Sequence, residues 1–114
     1  MQFERELLKG VASVVVLEVL ARGAMYGYEL SEAIWRRSGE ILTLGRGTLY
    51  PLLYNLEGKG LLRGWEQEQP NGRVRRYYEL TDAGKEHLAS QKEQLEKLQQ
   101  AVGQVFGWAV PAGG

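Results

Sequence analysis

The side chains best suited to chemistry in this sequence lie between positions 46 and 55. Arg46 can bond to guanine edges or to a phosphate, and Thr48 and Tyr50 can donate hydroxyl hydrogen bonds to phosphates. Asn55 carries the amide group that pairs with adenine. The apolar residues between them recur at helical spacing and are predicted to form the inner stripe of a helix: Leu49, Leu52, Leu53 and Leu56.

Three tyrosines extend this set of candidate nucleic-acid contacts. Tyr50 and Tyr54 are expected on the outer face of the same helix, and Tyr28 lies in the first turn of a preceding one. A helix N-terminus exposes amide groups to anions, so Tyr28 is a candidate to reach a phosphate. The alternative for Tyr50 and Tyr54 is packing against neighbouring helices with their hydroxyl groups left in water, and the alternative for Tyr28, alone or with Tyr26, is core packing against the first helix.

A second group of cations is predicted at the tip of a β-hairpin. Asn71-Gly72 is a turn sequence, with Arg73 beside it and Arg75 and Arg76 immediately behind. Segment 59–76 carries five basic and two acidic side chains, although the whole chain has no net charge. Such a tip suits DNA, with affinity that falls steeply as salt rises. Alternatively, the arginines only keep an edge hairpin soluble and unpaired.

The remaining composition argues against an enzyme. The chain has no cysteine, which excludes disulfides and thiolate chemistry and favours the cytoplasm, and its one histidine, His87, has no catalytic partner in view. No metal-ligand spacing or phosphate loop occurs, so we expect no metal and no cofactor. The apolar run at 11–21 is much shorter than the ~20 residues of a membrane span.

A single domain of mainly α class must position these groups. The patterns predict helices over about 3–21, 26–39 and 48–60, a hairpin with strands at 61–68 and 73–80, and a last helix over 81–106. Gly47 or Thr48 is expected to cap the third helix, which places Pro51 in its first turn. This order is a winged helix-turn-helix (1–80) with a continuous C-terminal dimerisation helix (81–107) and a flexible tail (108–114).

The last helix carries a candidate dimer seam. Leu88, Leu95 and Val102 recur every seven residues, and Leu98 and Val105 occupy the alternate seam positions. A helix of some 25 residues outgrows a three-helix core, which favours a homodimer. The alternative is that the stripe packs on the chain's own first helix, and both arrangements are compatible along different stretches.

Three segments together resemble the PadR family of bacterial transcriptional regulators, in its short subclass with one C-terminal helix. They are YGYEL at 26–30, GTLYPLLYNLEGKGL at 47–61 and RYYELTDAG at 76–84. The resemblance implies a winged-helix repressor that binds an inverted-repeat operator in double-stranded DNA as a homodimer. It makes Thr48, Tyr50, Tyr54 and Arg73 the first candidates for DNA contacts.

Some members of that subclass bind planar aromatic drugs or phenolic acids at the dimer interface. Phe106 and Trp108 end the last helix here and are candidate residues for a small aromatic effector, with plain packing as the alternative. Because a fold does not determine function, the alternative function is a winged-helix module that binds only proteins. That alternative requires the wing arginines to be dispensable.

Overall fold

The computed structural model describes residues 2–108, which form helices around a small antiparallel sheet. The predicted architecture, mainly helical with a hairpin and a long last helix, is confirmed. Residues 109–114, on which most of the predicted tail falls, lie outside the described part. None of the described helices is long and apolar enough to cross a membrane. The elements in chain order are α1 Arg5–Lys9, α2 Ala12–Leu20, β1 Met25–Tyr26, α3 Gly27–Arg37, α4 Arg46–Gly58, β2 Leu62–Glu68, β3 Val74–Leu80 and α5 Asp82–Phe106.

The predicted single helix over 3–21 is wrong in one respect, because the chain divides it at Gly10 and Val11. There Val11 N donates to Leu8 O at 3.0 Å, a tighter turn than the α-helical pattern. Glycine and β-branched valine both weaken a helix at this point. The continuous apolar pattern at 11–20 buries most of α2, whereas none of the five residues of α1 is buried.

Helix α4 begins earlier than the sequence predicts. Gly45 is its N-cap, and the amides of Thr48 and Leu49 both donate to Gly45 O, at 3.0 and 2.9 Å. The expected cap at Gly47 or Thr48 is therefore wrong, and so is the placement of Pro51 in the first turn. Pro51 lies in the second turn, and Arg46 is the first helical residue.

The sheet contains one strand that the sequence did not predict. β1 has two residues, too few to show an alternating pattern, and pairs with β3 in the order β1-β3-β2. Tyr26 lies opposite Tyr77, which in turn lies opposite Trp65 of β2. The start of α3 is thereby tied to the hairpin, which forms the wing.

The core lies between α2, α3, α4 and the inner face of the sheet, and the first half of α5 completes it. Leu17, Leu30 and Leu53 are fully buried, and Leu88 of α5 is only 7% exposed. Thr81 fixes the start of α5: its hydroxyl accepts from Gly84 N at 3.0 Å and donates to Gly60 O at 2.7 Å. A 25-residue helix is about 37 Å long, so α5 extends well past this core.

Candidate nucleic-acid interface

The N-termini of α3 and α4 and the strand β3 meet at an open cleft of about 430 Å³. Five of the nine predicted DNA contacts line it, and we call this set the basic cleft: Tyr28, Arg46, Tyr50, Arg73 and Arg75. Three elements that are far apart in sequence thus deliver cations and phenol hydroxyls to one surface.

Tyr50 is held in the basic cleft by contact with the backbone of α3. A Cβ added to Gly27 would lie 2.5 Å from Tyr50 Oη and 2.8 Å from Tyr50 Cζ. Only glycine at this position leaves room for the ring. Arg46 in turn lies over the Tyr50 ring, with its Cζ 5.5 Å from the ring centroid. The contact between Gly27 and Tyr50 therefore sets the position of the first arginine of α4 as well.

Arg75 is positioned by a row of aromatic rings that crosses the outer face of the sheet. Its Cζ lies 4.9 Å from the ring centroid of Tyr26. Tyr26 meets Tyr77 edge-on at 5.4 Å, and Tyr77 stacks on Trp65 at 5.9 Å. Arg75 is therefore held against the body of the protein rather than extended freely from the wing.

Arg73 lies at the exposed tip of the wing, as predicted. The turn closes through Gln69 N donating to Arg73 O at 2.7 Å and Arg73 N donating to Asn71 Oδ1 at 3.0 Å. Gly72 has φ 84°, a left-handed conformation that favours glycine. The tip is thus a closed turn that presents the Arg73 side chain to solvent.

The exposure of the tyrosines separates the two interpretations of these rings. Tyr28 and Tyr54 are exposed, Tyr54 to 81%, so core packing is wrong for both. Tyr50 combines the two interpretations, because its ring contacts α3 while part of it remains exposed. Tyr54 and Asn55 are exposed further along α4, one to two turns beyond the basic cleft.

Besides Tyr54 and Asn55, two more predicted contacts lie outside the basic cleft. Thr48 is half-buried and faces two shallow depressions that Arg5 and Leu8 also line. Arg76 donates from Nη2 to Glu57 Oε2 of α4 at 2.7 Å. Partial desolvation lowers the pKa of Arg76, but the hydrogen bond to Glu57, the charge of Glu57 and the nearby Tyr78 together outweigh it and leave the pKa raised. The structure thus groups Arg76 with α4 rather than with Arg73 and Arg75.

The predicted dimer seam along α5 divides into two parts. Leu88 belongs to the core and Leu95 is half-buried against it, as the alternative interpretation predicted for these residues. Beyond Leu95, exposed apolar side chains follow on α5 and just past its end, with Val105 82% exposed. We call these residues the α5 stripe: Leu98, Val102, Val105, Phe106 and Trp108, the last two with ring centroids 4.8 Å apart.

A small ion-pair network fixes the direction in which α5 leaves the core. Lys92 Nζ donates to Glu18 Oε1 of α2 at 2.6 Å, and Arg37 Nη2 lies 3.7 Å from Glu18 Oε2. The hydrogen bond from Lys92 lowers the pKa of Glu18, against a smaller opposing effect of burial. Beside this network, an apolar cleft of about 320 Å³ opens between α2, α3 and α5.

Sequence reasoning missed the residues that hold the site together. Gly27 and Tyr26 lie inside a quoted motif, but spacing does not reveal which ring contacts which backbone. Glu57 lies 19 positions from Arg76, and a local pattern contains no signal for such a pair. The only available signals were the hydrophobic stripe of α4, which ends beside Glu57, and the alternation of β3, which places Arg76 on the same face as Tyr78.

The sequence and the fold of this chain are similar to those of known transcriptional regulators. The sequence profile of the transcriptional regulator PadR-like family matches residues 16–90. A transcriptional regulator of Mycobacterium tuberculosis is 34% identical over 98 residues, which cover 86% of this chain and 88% of that protein. A transposon protein of Streptomyces fradiae, described as uncharacterised, is 40% identical over 100 residues, covering 88% of this chain but 26% of that protein. The crystal structure of a PadR family transcriptional regulator from Eggerthella lenta has a TM-score of 0.76 and 33% identity, and covers 89% of this chain and 86% of that one.

Proposed function

This chain belongs to the PadR-like family of transcriptional regulators, and from that premise we propose that it binds duplex DNA as a homodimer through the basic cleft. In this proposal α4 enters the major groove and the wing lies beside it. One observation carries the proposal: α3, α4 and β3 bring Tyr28, Arg46, Tyr50, Arg73 and Arg75 to one cleft.

The geometry supports a division of roles along this surface. Arg46, at the start of α4 and stacked on Tyr50, is placed to contact a guanine edge or a phosphate. The hydroxyls of Tyr28 and Tyr50 are phosphate donors, and Arg73 and Arg75 neutralise the backbone beside the groove. Tyr54 and Asn55 contact the next turn of DNA surface along α4. Thr48, which lines one depression together with Arg5, contacts DNA on the opposite side of α4.

The α5 stripe supports the homodimer. Exposed apolar residues at seven-residue spacing need a partner, and a second copy offers the same stripe. Twofold symmetry then presents two α4 helices to an inverted repeat. We propose that residues 1–80 contact DNA, that 81–107 dimerise, and that the exposed rings of Phe106 and Trp108 receive a planar aromatic effector that releases a repressor from its operator.

The proposal is tested by selecting duplexes from a random pool of about 30 base pairs, long enough for two half-sites one turn apart. We expect enrichment of an inverted repeat, and a logarithmic affinity that falls linearly with the logarithm of salt concentration between about 50 and 200 mM. Light scattering should give a dimer mass. A pool that does not enrich, together with no binding at the lower salt concentration, would contradict DNA binding. A monomer that still binds would contradict only the dimer.

A further inference from the structure

A hydrogen-bonded ion pair joins the wing to the proposed recognition helix. Arg76 of β3 bonds to Glu57, which lies in the last turn of α4. Arg76 also lies directly opposite Glu66 in the strand register, yet its hydrogen bond goes to the helix. The short connection at 59–61 and the shared core, to which Leu62 and Tyr78 contribute, also join the hairpin to α4.

The backbone of β2 is shaped around this pair. A Cβ added to Gly64 would lie 2.9 Å from Arg76 Nη2 and 3.0 Å from Glu57 Oε1. The two charged groups therefore lie directly on the strand at Gly64, and any larger residue there would push them aside. The pair thus contacts three segments at once: α4, β2 and β3.

Arg76 is restrained on a second side by the core. Its Cζ lies 5.8 Å from the ring centroid of Tyr78, a ring that is almost wholly buried. Burial raises the pKa of Tyr78, and the neighbouring Arg76 partly offsets this effect. The Arg76 side chain is 42% exposed, but its guanidinium is held by a carboxylate and lies over a core ring, and these two contacts restrain it from reaching out to DNA.

We propose that Arg76 is a positioning residue: its bridge to Glu57 across Gly64 fixes the angle between the wing and α4, and Arg76 neutralises no phosphate. This inference rests on the proposed function, since an angle between two DNA-contacting elements matters only if both contact DNA. It assigns Arg76 a role different from that of Arg73 and Arg75.

The test measures the affinity of Arg76→Gln, Glu57→Gln and the double variant for the selected inverted repeat. Each single variant should bind about three- to tenfold more weakly, and the double variant no more weakly than either, because one interaction is lost in all three. The direction in which Glu57→Gln changes the DNA affinity distinguishes positioning from simple electrostatics. Removing an anion near DNA strengthens binding by simple electrostatics, whereas loss of positioning weakens it.

The dependence on salt separates positioning from phosphate contact. For a positioning residue, Arg76→Gln leaves the salt slope of wild type unchanged. For a phosphate contact, the slope flattens by about 0.9 per protomer, Glu57→Gln tightens binding, and the effects add. That second pattern would overturn the inference and leave DNA binding intact. If wild type enriches and binds no duplex, the proposed function and this inference both fail.

A charge-neutral variant and a matched control complete the experiment. Gly64→Ala shifts the far ends of both side chains without changing charge, so it should weaken binding by less than Arg76→Gln does and add nothing in the Glu57→Gln background. Arg63→Gln removes another arginine–glutamate pair, with Glu79, that joins β2 to β3 only. It should change affinity less than about twofold. Equal losses for Arg63→Gln and Arg76→Gln would contradict the inference, and thermal unfolding of each variant excludes misfolding as the cause.

Discussion

The basic cleft and the α5 stripe are both exposed surfaces, but they are built in opposite ways. In the basic cleft, ring stacking and a backbone contact hold polar side chains in place, as Tyr50 does on Gly27. In the α5 stripe, apolar side chains extend from a single helix beyond the core. The first surface is prepared for a charged, hydrated partner, and the second for a partner that excludes water. Salt should therefore weaken binding at the cleft and hardly affect the stripe.

The largest effect is expected from a charge in the α5 stripe. In the proposed dimer, Leu98→Asp would bury a carboxylate in the interface, at a cost of about 3 kcal/mol or more. Light scattering should then show a monomer, and operator affinity should fall at least about 100-fold because one protomer contacts one half-site.

The control for this variant is Ala89→Asp, on the same helix but outside the seven-residue repeat. It places the same charge on an exposed position, so we expect a dimer with nearly normal operator affinity. If Leu98→Asp remains dimeric, the α5 stripe is not the dimer interface. The assignment of an apolar partner to the stripe would then be wrong.

The next largest effect is expected in the basic cleft. Arg73→Ala combined with Arg75→Ala should weaken operator binding roughly 10- to 100-fold at about 50 mM salt and flatten the salt slope, because each lost phosphate contact removes about 0.9 from it. Lys85→Ala with Lys97→Ala removes the same charge from exposed positions on α5 and should leave the slope unchanged. Binding equal to wild type at both about 50 and 200 mM salt refutes the role of the wing.

A smaller effect tests whether the cleft is prepared in advance. In Gly27→Ala the new methyl group would overlap Tyr50, so the ring and the stacked Arg46 must move. We expect operator affinity about three- to tenfold weaker, with thermal stability changed little, since alanine is a better helix former. The control is Gly58→Ala in α4, the helix that carries Tyr50. Its new methyl group would lie in open space, so this variant should keep wild-type affinity. If Gly27→Ala also keeps it, the contact with Tyr50 is incidental.

The contrast also explains what the sequence could reveal. Periodicity identified α3, α4, the hairpin and α5, because each buries one face at a regular spacing. Because successive side chains of a strand point to opposite faces, the sequence is sufficient to separate Arg75 from Arg76, and the structure has Arg75 over Tyr26 and Arg76 bonded to Glu57. The sequence could not show that the Arg76 side meets Glu57, because that depends on how α4 packs against the sheet.

Residue type and spacing gave wrong helix boundaries at two places, the break between α1 and α2 and the start of α4. The apolar run through α1 and α2 concealed the break at Gly10, and Thr48 was a better cap by residue type than Gly45. Gly45 is the cap because the backbone hydrogen bonds of the first turn start there. Cap residue type is therefore a weaker guide than the path of the chain into the helix.

The smallest expected effect concerns Glu18 of α2, which pairs with Lys92 of α5 ahead of the α5 stripe. Lys92 lowers its pKa below 4.5, so the folded state holds the carboxylate more strongly than the unfolded chain does. This stability is present above the ordinary pKa and is lost as the pH falls through the lowered one. Glu18→Gln should therefore lower the free energy of unfolding by only about 0.5 kcal/mol at pH 7, because solvent screens a pair in which Glu18 is 33% and Lys92 56% exposed. Urea unfolding at fixed protein concentration should show the difference between wild type and Glu18→Gln shrinking as the medium is acidified below the ordinary pKa.

The control is Glu93→Gln, which breaks the more exposed pair with Lys97 and should lower the free energy of unfolding by less. A Glu18→Gln penalty that grows in acid would mean that Lys92 does not stabilise the charged form.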